Sequence, residues 1–514
     1  MTNFFERYGL YLVGLALTFL FVLYTYDLTS NPPGFYVDES AFAYNAYMLA
    51  RTGATEFGVR WPLFVQNFEP PYTVFVNPVH IYLLATILLV VPPSIFLARL
   101  LSALAGFEAG ILIGFLAFKL SGKRSIGVIV GLTALITPWF FEFSRWFSDA
   151  SYYPLVLTLF LLALQRASSK ESWSWMDVTL VGLTLGFVTY TYSIGRLLGP
   201  LLGLGLVIFA INRQRVISVL KAWVAYGITL IPFFIFYFRH PNALSSRFMT
   251  LSYLRTETTM QGLLVRFLAR YFQDLSLIGL ITKGDPNPRH HVPGATGSIL
   301  LATVILALIG FVIVLLHKRY EPYWRFIVFG TFASVLPGAL TNDPFHTGRM
   351  IAYPVFLLVL TVPALSWLME KRGEVASKRS QKRKPGVWMG LSSKRVILIL
   401  LLVGTIGQAV FFQMRFWRDG YDRDYAWDAP YKVVYDKATA QLSRPIYLVD
   451  GKWGPGYIHA LWYAALEGRS TSEFVHLPYR AEPPPGALVI SSEPECRRCE
   501  IILDTGEYVL YRKY

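Results

Sequence analysis

Long apolar runs recur along most of this chain, and they constrain its fold more than any other feature. Each run has about 17 to 25 residues, enough for an α-helix to cross the hydrocarbon core of a bilayer. A soluble fold has no use for so many such runs. Charged residues make up 15% of the 514 residues, against about a quarter in soluble domains. The sequence therefore predicts a polytopic α-helical membrane protein.

The formal net charge of +15 lies in the links between these runs. Short loops rich in Lys and Arg stay on the cytoplasmic side, so we expect the links to set topology and to contact anionic lipids, not nucleic acid. Placing all of them inside gives about eleven spans, with the N-terminus cytoplasmic and the C-terminus outside. The predicted spans are 9–26, 95–118, 125–141, 152–165, 177–192, 196–211, 216–238, 298–316, 324–340, 350–369 and 396–412. The first is interpreted as a retained span, because no small-residue cleavage site follows it.

The chain divides into two predicted domains, a transmembrane domain (1–412) and an extracytoplasmic soluble α/β domain (413–514). The transmembrane domain contains a first outer loop (27–94), a long outer loop (239–297) and a basic cytoplasmic loop (370–395). Within the first outer loop, "PVHIYLLATILLVV" is too short to span and predicts an outer juxtamembrane helix.

The predicted α/β domain has strands at "PIYLVD" and "ALVISS", a helix at "GYIHALWYAALEG" and a hairpin at "EIILDTGEYVLYRKY". Its "CRRC" motif holds the two cysteines of the chain, Cys496 and Cys499. An oxidising outer compartment favours a disulfide between them. Reduced thiols and a metal or redox role remain as alternatives.

The predicted outer segments are rich in Asp, His, Arg, Tyr and Trp. Ionisable groups at membrane level are expensive, so such a collection indicates a functional site. Asp38 and Asp149 are carboxylates beside a lipid boundary, where partial desolvation raises the pKa and suits a general base. The candidate cations are Arg145, Arg196, Arg289, Arg349, His290, His291 and His346. A base with cations that can hold a phosphate fits group transfer from a lipid-linked phosphate donor, the cations stabilising the leaving phosphate.

Four stretches, in order, carry a family resemblance. They are "YVDESAFAYNAYMLARTG", "SRWFSDASYYPLVLTL", "GFVTYTYSIGRLLGPL" and "HTGRMIAYPVFLLVL". Over roughly residues 5–412 the chain resembles the GT-C superfamily of membrane glycosyltransferases, specifically the protein O-mannosyltransferase and lipid A aminoarabinose transferase branch. The resemblance implies a polyprenyl-phosphate sugar as donor, and a hexosyl- or pentosyltransferase similar to the mannosyltransferases.

The resemblance also implies roles for particular residues. Asp38 would be the base that activates the acceptor hydroxyl for inverting attack, with no covalent intermediate. Glu39 would support it, and Asp149 matches the second acid of the family. The implied donor phosphate-binding residues are Arg145, Arg196, Arg349 and His346.

Near "NFEPPYTVF" the aminoarabinose branch has an acid and a lysine, whereas this chain has Glu69 and no lysine there. Glu69, with His80 or His290, could contact substrate or hold a divalent metal.

The sequence alone leaves two kinds of alternative, which are structural roles for these residues and other functions for the chain. Asp38 could cap a helix, Asp149 could pair with Arg145, and Arg196 could snorkel at a helix end. A transporter or flippase for a lipid-linked or anionic substrate should show internal repeats and charges at mid-membrane, which the sequence does not display. A scaffold protein would not explain the clustered acids and cations. We expect a multi-pass protein of the plasma membrane whose acceptor is a protein, a lipid or a glycan.

Overall fold

The computed structural model describes residues 2–370, 391–452, 454–493 and 498–514, and most of them are helical. The α-helices are α1 (Thr2–Thr25), α2 (Val37–Thr52), α3 (Val79–Leu88), α4 (Ile95–Ser121), α5 (Arg124–Leu135), α6 (Pro138–Phe143), α7 (Tyr153–Ser168), α8 (Trp175–Thr191), α9 (Gly195–Gly205), α10 (Arg213–Arg239), α11 (Ser246–Leu251), α12 (Met260–Asp274), α13 (Leu301–Ile313), α14 (Pro322–Ala333), α15 (Leu336–Ala339), α16 (Tyr353–Leu368), α17 (Leu391–Asp419), α18 (Ala429–Thr439) and α19 (Tyr457–Glu467). Most of the predicted basic loop lies outside the described residues.

The chain is a multi-pass membrane protein. Within the described residues, five helical segments are long and apolar enough to cross a bilayer, and α3, α5, α9 and α16 are shorter apolar helices. The five segments are Tyr8–Thr25, Ile95–Ser121, Arg213–Arg239, Leu301–Lys318 and Ser393–Asp422. The count of eleven spans stays a prediction.

Two predicted spans are interrupted in the structure. Residues 125–141 divide between α5 and α6, where Pro138 occupies the first turn of the new helix. Residues 324–340 divide between α14 and α15, and Pro337 again lies in the first turn. Proline lacks the backbone N–H that a continuing helix needs, so each span is broken into shorter helices.

The helices differ in which surfaces they bury. α16 is buried along nearly all of its length, which is expected of a helix that is apolar on every side. α1, α10 and α17 leave apolar side chains such as Leu10, Val224 and Leu400 exposed. Large exposed apolar surfaces mark contact with another phase or partner, and in a membrane protein the lipid supplies that contact.

The end of the chain forms the C-terminal α/β region, defined here as α18, α19 and strands β3–β7. The strands are β3 (Ile446–Val449), β4 (Phe474–Leu477), β5 (Leu488–Ser491), β6 (Cys499–Asp504) and β7 (Val509–Lys513), preceded in the first loop by the short pair β1 (Val65–Asn67) and β2 (Val74–Val76). The five-stranded sheet has the order β4-β3-β5-β7-β6. β3 pairs in parallel with β4 and β5, and β7 pairs antiparallel with β5 and β6.

The predicted strands, helix and hairpin of this region are found in the structure, with Gly506 in the hairpin turn at φ +84°. β4 and α18 were not predicted. α17 continues through residue 413 to Asp419, and the division into domains at that point stays a prediction. Cys496 lies outside the described residues, so its pairing with Cys499 also stays a prediction.

Candidate active site

Asp38 and Glu39 lie in the first turn of α2, and their side chains have different surroundings. Glu39 is fully buried and accepts two hydrogen bonds from Arg99 of α4, at 2.9 and 2.8 Å. Its oxygens also accept from the backbone N–H groups of Phe147, at 2.8 Å, and Tyr36, at 3.1 Å. Both oxygens are engaged, so Glu39 holds the α2 N-terminus in place and supports its neighbour through position.

Arg99 is a site residue that the sequence reasoning missed. Besides Glu39, its guanidinium bonds the carbonyl oxygens of Leu28, Pro32 and Gly34 at 2.7–2.9 Å. One buried cation therefore fastens the chain before α2 to the transmembrane helix α4. The sequence signal for this role is an arginine inside an otherwise apolar run, because a cation in such a run needs a polar partner.

Asp38 and Asp149 are the two half-buried acids of the site. Burial raises the pKa of the Asp38 carboxyl group, against the effect of Arg247 and Arg289, which lower it. Burial and then the charge of Asp38 raise the pKa of Asp149 to about 7, and Arg196 opposes this shift. The charge of Asp38 therefore acts on the carboxyl group of Asp149.

The structural roles considered for these two acids, helix capping by Asp38 and an ion pair of Asp149 with Arg145, are not found among the described residues. The N-cap of α2 is Tyr36, and Asp38 is the second residue of the helix. Asp149 begins a short 3₁₀ helix capped by Ser148, and it forms no ion pair with Arg145.

Several cations lie around the acids. The Arg289 guanidinium lies 4.1 Å from the centre of the Tyr36 ring, beside the start of α2. Arg196 donates to the Leu244 carbonyl at 2.8 Å and to the side-chain oxygen of Asn77 at 2.5 Å. Its Nε has no partner among the described residues. Arg196 thus joins the first loop to the long loop while one of its donors remains free.

Arg349 and His346 stand on the loop before α16. The charges of Asp38, Asp149 and Arg349 all act on the Tyr192 hydroxyl, so Arg349 belongs to the same cluster. Arg349 also donates to Thr341 Oγ1 and pairs with Asp343, each at 2.7 Å.

His346 is the one histidine among the predicted phosphate-binding residues. Burial, followed by the positive charges of His290 and Arg349, holds the pKa of His346 well below its usual range. The contact of His346 with the donor phosphate stays a prediction.

Arg145 lies outside the site. Its guanidinium donates to the carbonyl oxygens of residues 23, 24, 26, 27 and 31, where α1 ends. It also lies against the rings of Phe416 and Trp417. The predicted phosphate contact is wrong, because every donor is used to satisfy backbone carbonyl groups.

The predicted metal set of Glu69 with His80 or His290 is not assembled either. Glu69 contacts His476 Nδ1 at 3.2 Å, and His476 Nε2 contacts Asp450 at 2.8 Å. His80 is buried among aromatic rings, and neither of its ring nitrogens has a hydrogen-bond partner in the described structure. His290 instead groups with Asp285 and His346, whose candidate ligand atoms all lie within 4.8 Å of one another.

His291 has a structural role. It is buried, its Nδ1 contacts Glu142 at 2.6 Å, and its Nε2 contacts the Thr296 carbonyl at 2.5 Å. Both ring nitrogens are therefore occupied, and none remains for a substrate.

The C-terminal α/β region meets the site at α2. Asp428, just before α18, accepts from the Val37 N–H and from the Tyr508 hydroxyl, both at 2.9 Å. His459 of α19 hydrogen-bonds Ser40 at 2.9 Å. Gly34 passes so close that a Cβ would lie 2.4 Å from the Trp427 carbonyl oxygen, and its φ of +70° also favours glycine.

An apolar cavity of about 430 Å³ lies beside α12. Its lining residues are Leu201, Phe267, Leu268, Tyr271, Phe272, Phe329, Phe332, Ala333 and Leu336. Asp274, the last residue of α12, accepts from the Phe345 N–H at 2.9 Å. The C-terminal end of α12 therefore contacts the loop that carries His346 and Arg349.

No family model and no curated protein matches this sequence, but solved structures do. ArnT from Cupriavidus metallidurans bound to undecaprenyl phosphate aligns with a TM-score of 0.59 at 12% identity, covering 98% of this chain and 97% of that one. Its apo state gives a TM-score of 0.59 at 13% identity, covering 98% of each chain.

The archaeal oligosaccharyltransferase AglB from Archaeoglobus fulgidus, in complex with an inhibitory peptide and a dolichol-phosphate, gives a TM-score of 0.53 at 14% identity. That alignment covers 90% of this chain and 64% of AglB. ArnT and AglB are GT-C superfamily members. At these identities the likeness establishes a shared fold.

Proposed function

We propose that this chain is an inverting glycosyltransferase that moves a sugar from a polyprenyl-phosphate donor to an acceptor hydroxyl. The observation that carries the proposal is a pair of half-buried acids under the influence of arginines, with Arg247 and Arg289 acting on Asp38 and Arg196 acting on Asp149, in a chain that also has an apolar groove beside α12. A base, a set of cations and a place for a lipid tail are the three things this reaction needs.

Asp38 acts as the general base. Its carboxylate takes the proton of the acceptor hydroxyl while the hydroxyl oxygen attacks the anomeric carbon from the face opposite the phosphate. The bond between that carbon and the phosphate oxygen breaks, and its electron pair leaves with the polyprenyl phosphate. Burial raises the pKa of Asp38, which increases its basicity toward a weakly acidic alcohol.

Arginines stabilise the departing phosphate. Arg289 and Arg247 act on Asp38, Arg196 acts on Asp149, and Arg349 shares their surroundings. A guanidinium presents a planar fork that matches phosphate oxygens, and negative charge develops on those oxygens as the bond breaks. Asp149, whose pKa is raised by the charge of Asp38, adds a second negative charge for these cations to balance.

The groove beside α12 receives the polyprenyl tail. All nine of its lining residues are apolar or aromatic. ArnT is bound to undecaprenyl phosphate and AglB to a dolichol-phosphate, which supports the same class of donor. We further propose a mannosyltransferase-like enzyme of the plasma membrane, with a cytoplasmic N-terminus and with the site and the C-terminal α/β region outside.

The test is transfer of radiolabelled sugar from a panel of polyprenyl-phosphate hexoses and pentoses to acceptors in a membrane extract. We expect transfer by the purified protein and a loss of about a hundredfold in Asp38→Asn, the lower scale for deleting a general base. Asp436→Asn is the matched control, because this acid is exposed on α18 and pairs with Lys432. Equal rates for the two variants would remove Asp38 from the mechanism, and no transfer from any donor would reject the donor class.

A further inference from the structure

Asp285, His290 and His346 form a compact group beside the proposed active site. Two come from the long loop that follows α12, and the third comes from the loop before α16. Their candidate ligand atoms all lie within 4.8 Å of one another, and no other such group of three exists among the described residues. We propose that these three side chains bind one divalent transition metal ion of the zinc class.

The spacing of the ligand atoms suits such an ion. His290 Nδ1 and Asp285 Oδ2 are 3.0 Å apart. Two ligand atoms about 2.0–2.1 Å from zinc at a tetrahedral angle are about 3.3 Å apart. The pair is therefore close to the separation that a shared metal ion would impose, and binding replaces a proton between the two atoms with the ion.

The carboxylate is held in place for this role. Asp285 accepts from the Thr347 N–H at 2.7 Å and from the Thr347 hydroxyl at 2.5 Å. Its other oxygen accepts from the Asn287 N–H at 2.8 Å. Hydrogen bonds of this kind orient ligands around bound metals and strengthen binding.

The two histidines are packed together. Their ring centroids are 4.6 Å apart, and the His290 ring is also fixed by Phe143 at 5.3 Å and Trp146 at 6.2 Å. An ordinary Asp–His hydrogen bond needs no second imidazole, whereas a metal ion uses both. Two imidazoles with one carboxylate favour zinc-class ions over Mg²⁺ and Ca²⁺, which prefer oxygen ligands.

One side of the group is accessible. Asp285 and His290 are buried, while His346 is half-buried and lies three residues from Arg349. An ion can enter from this side, and water or an anion would supply the fourth ligand. The inference does not depend on the transferase proposal, because its test measures metal binding.

The experiment uses the full chain in detergent, purified without a polyhistidine tag, stripped with a chelator and dialysed against Zn²⁺. We expect one zinc per chain by elemental analysis. His346→Gln and Asp285→Asn should each weaken zinc binding at least tenfold. This is the lower end of the loss that follows when even the hydrogen-bond partners of metal ligands are mutated. His317→Gln, at an exposed histidine after α13, should leave binding unchanged.

Two further measurements separate a loss of metal binding from a loss of folding and identify the ligands directly. Thermal unfolding midpoints identify any variant that fails to fold, and His346→Gln is the milder change because His346 accepts a single 3.3 Å hydrogen bond from Arg349. Pulsed EPR of Cu²⁺ bound to the unmodified protein should detect two imidazole nitrogens. The proposal is overturned if no stoichiometric zinc binds, or if both variants keep full affinity. It is also overturned if His476→Gln alone abolishes binding, which would put the ion beside Glu69.

Discussion

Asp38 lies among charges of both signs, and they set the proton affinity of its carboxyl group. Burial raises its pKa most, Arg247 and Arg289 lower it, and Asp428 raises it again. A general base works while it is ionised, so the acidic limb of the rate profile reports this pKa. Removing one neighbouring charge should move that limb in a direction fixed by the sign of the charge.

We predict opposite shifts for two neutralising variants. Arg289→Gln removes a cation that favours the carboxylate, so the limb of kcat/KM should move to higher pH by about half a unit or more. Asp428→Asn removes an anion that opposes the carboxylate, so the limb should move to lower pH, while the amide oxygen can still accept from Val37. Arg444→Gln, which breaks an ion pair with Glu473 elsewhere, should leave the limb in place. Shifts of the same sign in both variants would show that another group limits the rate.

At this scale the sequence was informative about acids and less so about cations. Asp38 and Asp149 could be selected as candidates because each lies between apolar runs on the same predicted face. The role of Arg145 could not be predicted from the sequence. Its guanidinium donates to backbone carbonyl groups that become neighbours only when α1 ends beside α6. Asp428 is 391 positions from Val37 along the chain, and no local pattern joins such a pair.

Among the elements, α12 has a face that no neighbouring helix fully covers. Phe272 is 68% exposed and Leu268 is 43% exposed, although both line the apolar groove. Burying apolar surface contributes about 25 cal/mol per Å², so a long isoprenoid tail in this groove would add considerably to donor affinity. A donor with a short tail would gain much less.

Leu268→Trp should narrow the groove and raise KM at least tenfold for a long-chain donor, about 1.4 kcal/mol of binding. A donor with one or two isoprene units should be little affected. Leu264→Trp is the matched control, because Leu264 is exposed on the same helix but does not line the groove. KM values that rise equally for the two variants, or equally for the two donors, would contradict a tail site in this groove.

Elements were predictable where one local rule dominated. The hairpin β6–β7 follows from its alternating residues and the Thr-Gly turn, and the long span in α4 follows from apolar length. The breaks at Pro138 and Pro337 follow from proline, a local signal that the predicted spans did not take into account. The short strand β4 depends on its pairing with β3, a tertiary contact that overrides local propensity. The groove itself is built from α9, α12, α14 and α15, so it has no signature within one segment.

For the whole molecule, the positive-inside rule predicts an orientation that labelling can test. Residue 169 lies in a basic link after α7, and Leu442 is fully exposed in the C-terminal α/β region. With the native cysteines replaced by serine, Leu442→Cys should react with a membrane-impermeant maleimide in intact cells. Ser169→Cys should react only after lysis. The reverse pattern would place the acids on the cytoplasmic side.

The close approach of Gly34 to Trp427 has a consequence for biosynthesis. The ribosome releases the segment before α2 early and the segment around Asp428 nearly four hundred residues later. The two become neighbours only after almost all of the polypeptide has been translated and inserted. A nascent or prematurely terminated chain therefore carries Asp38 without its full set of neighbours, and competence is reached at the end of synthesis.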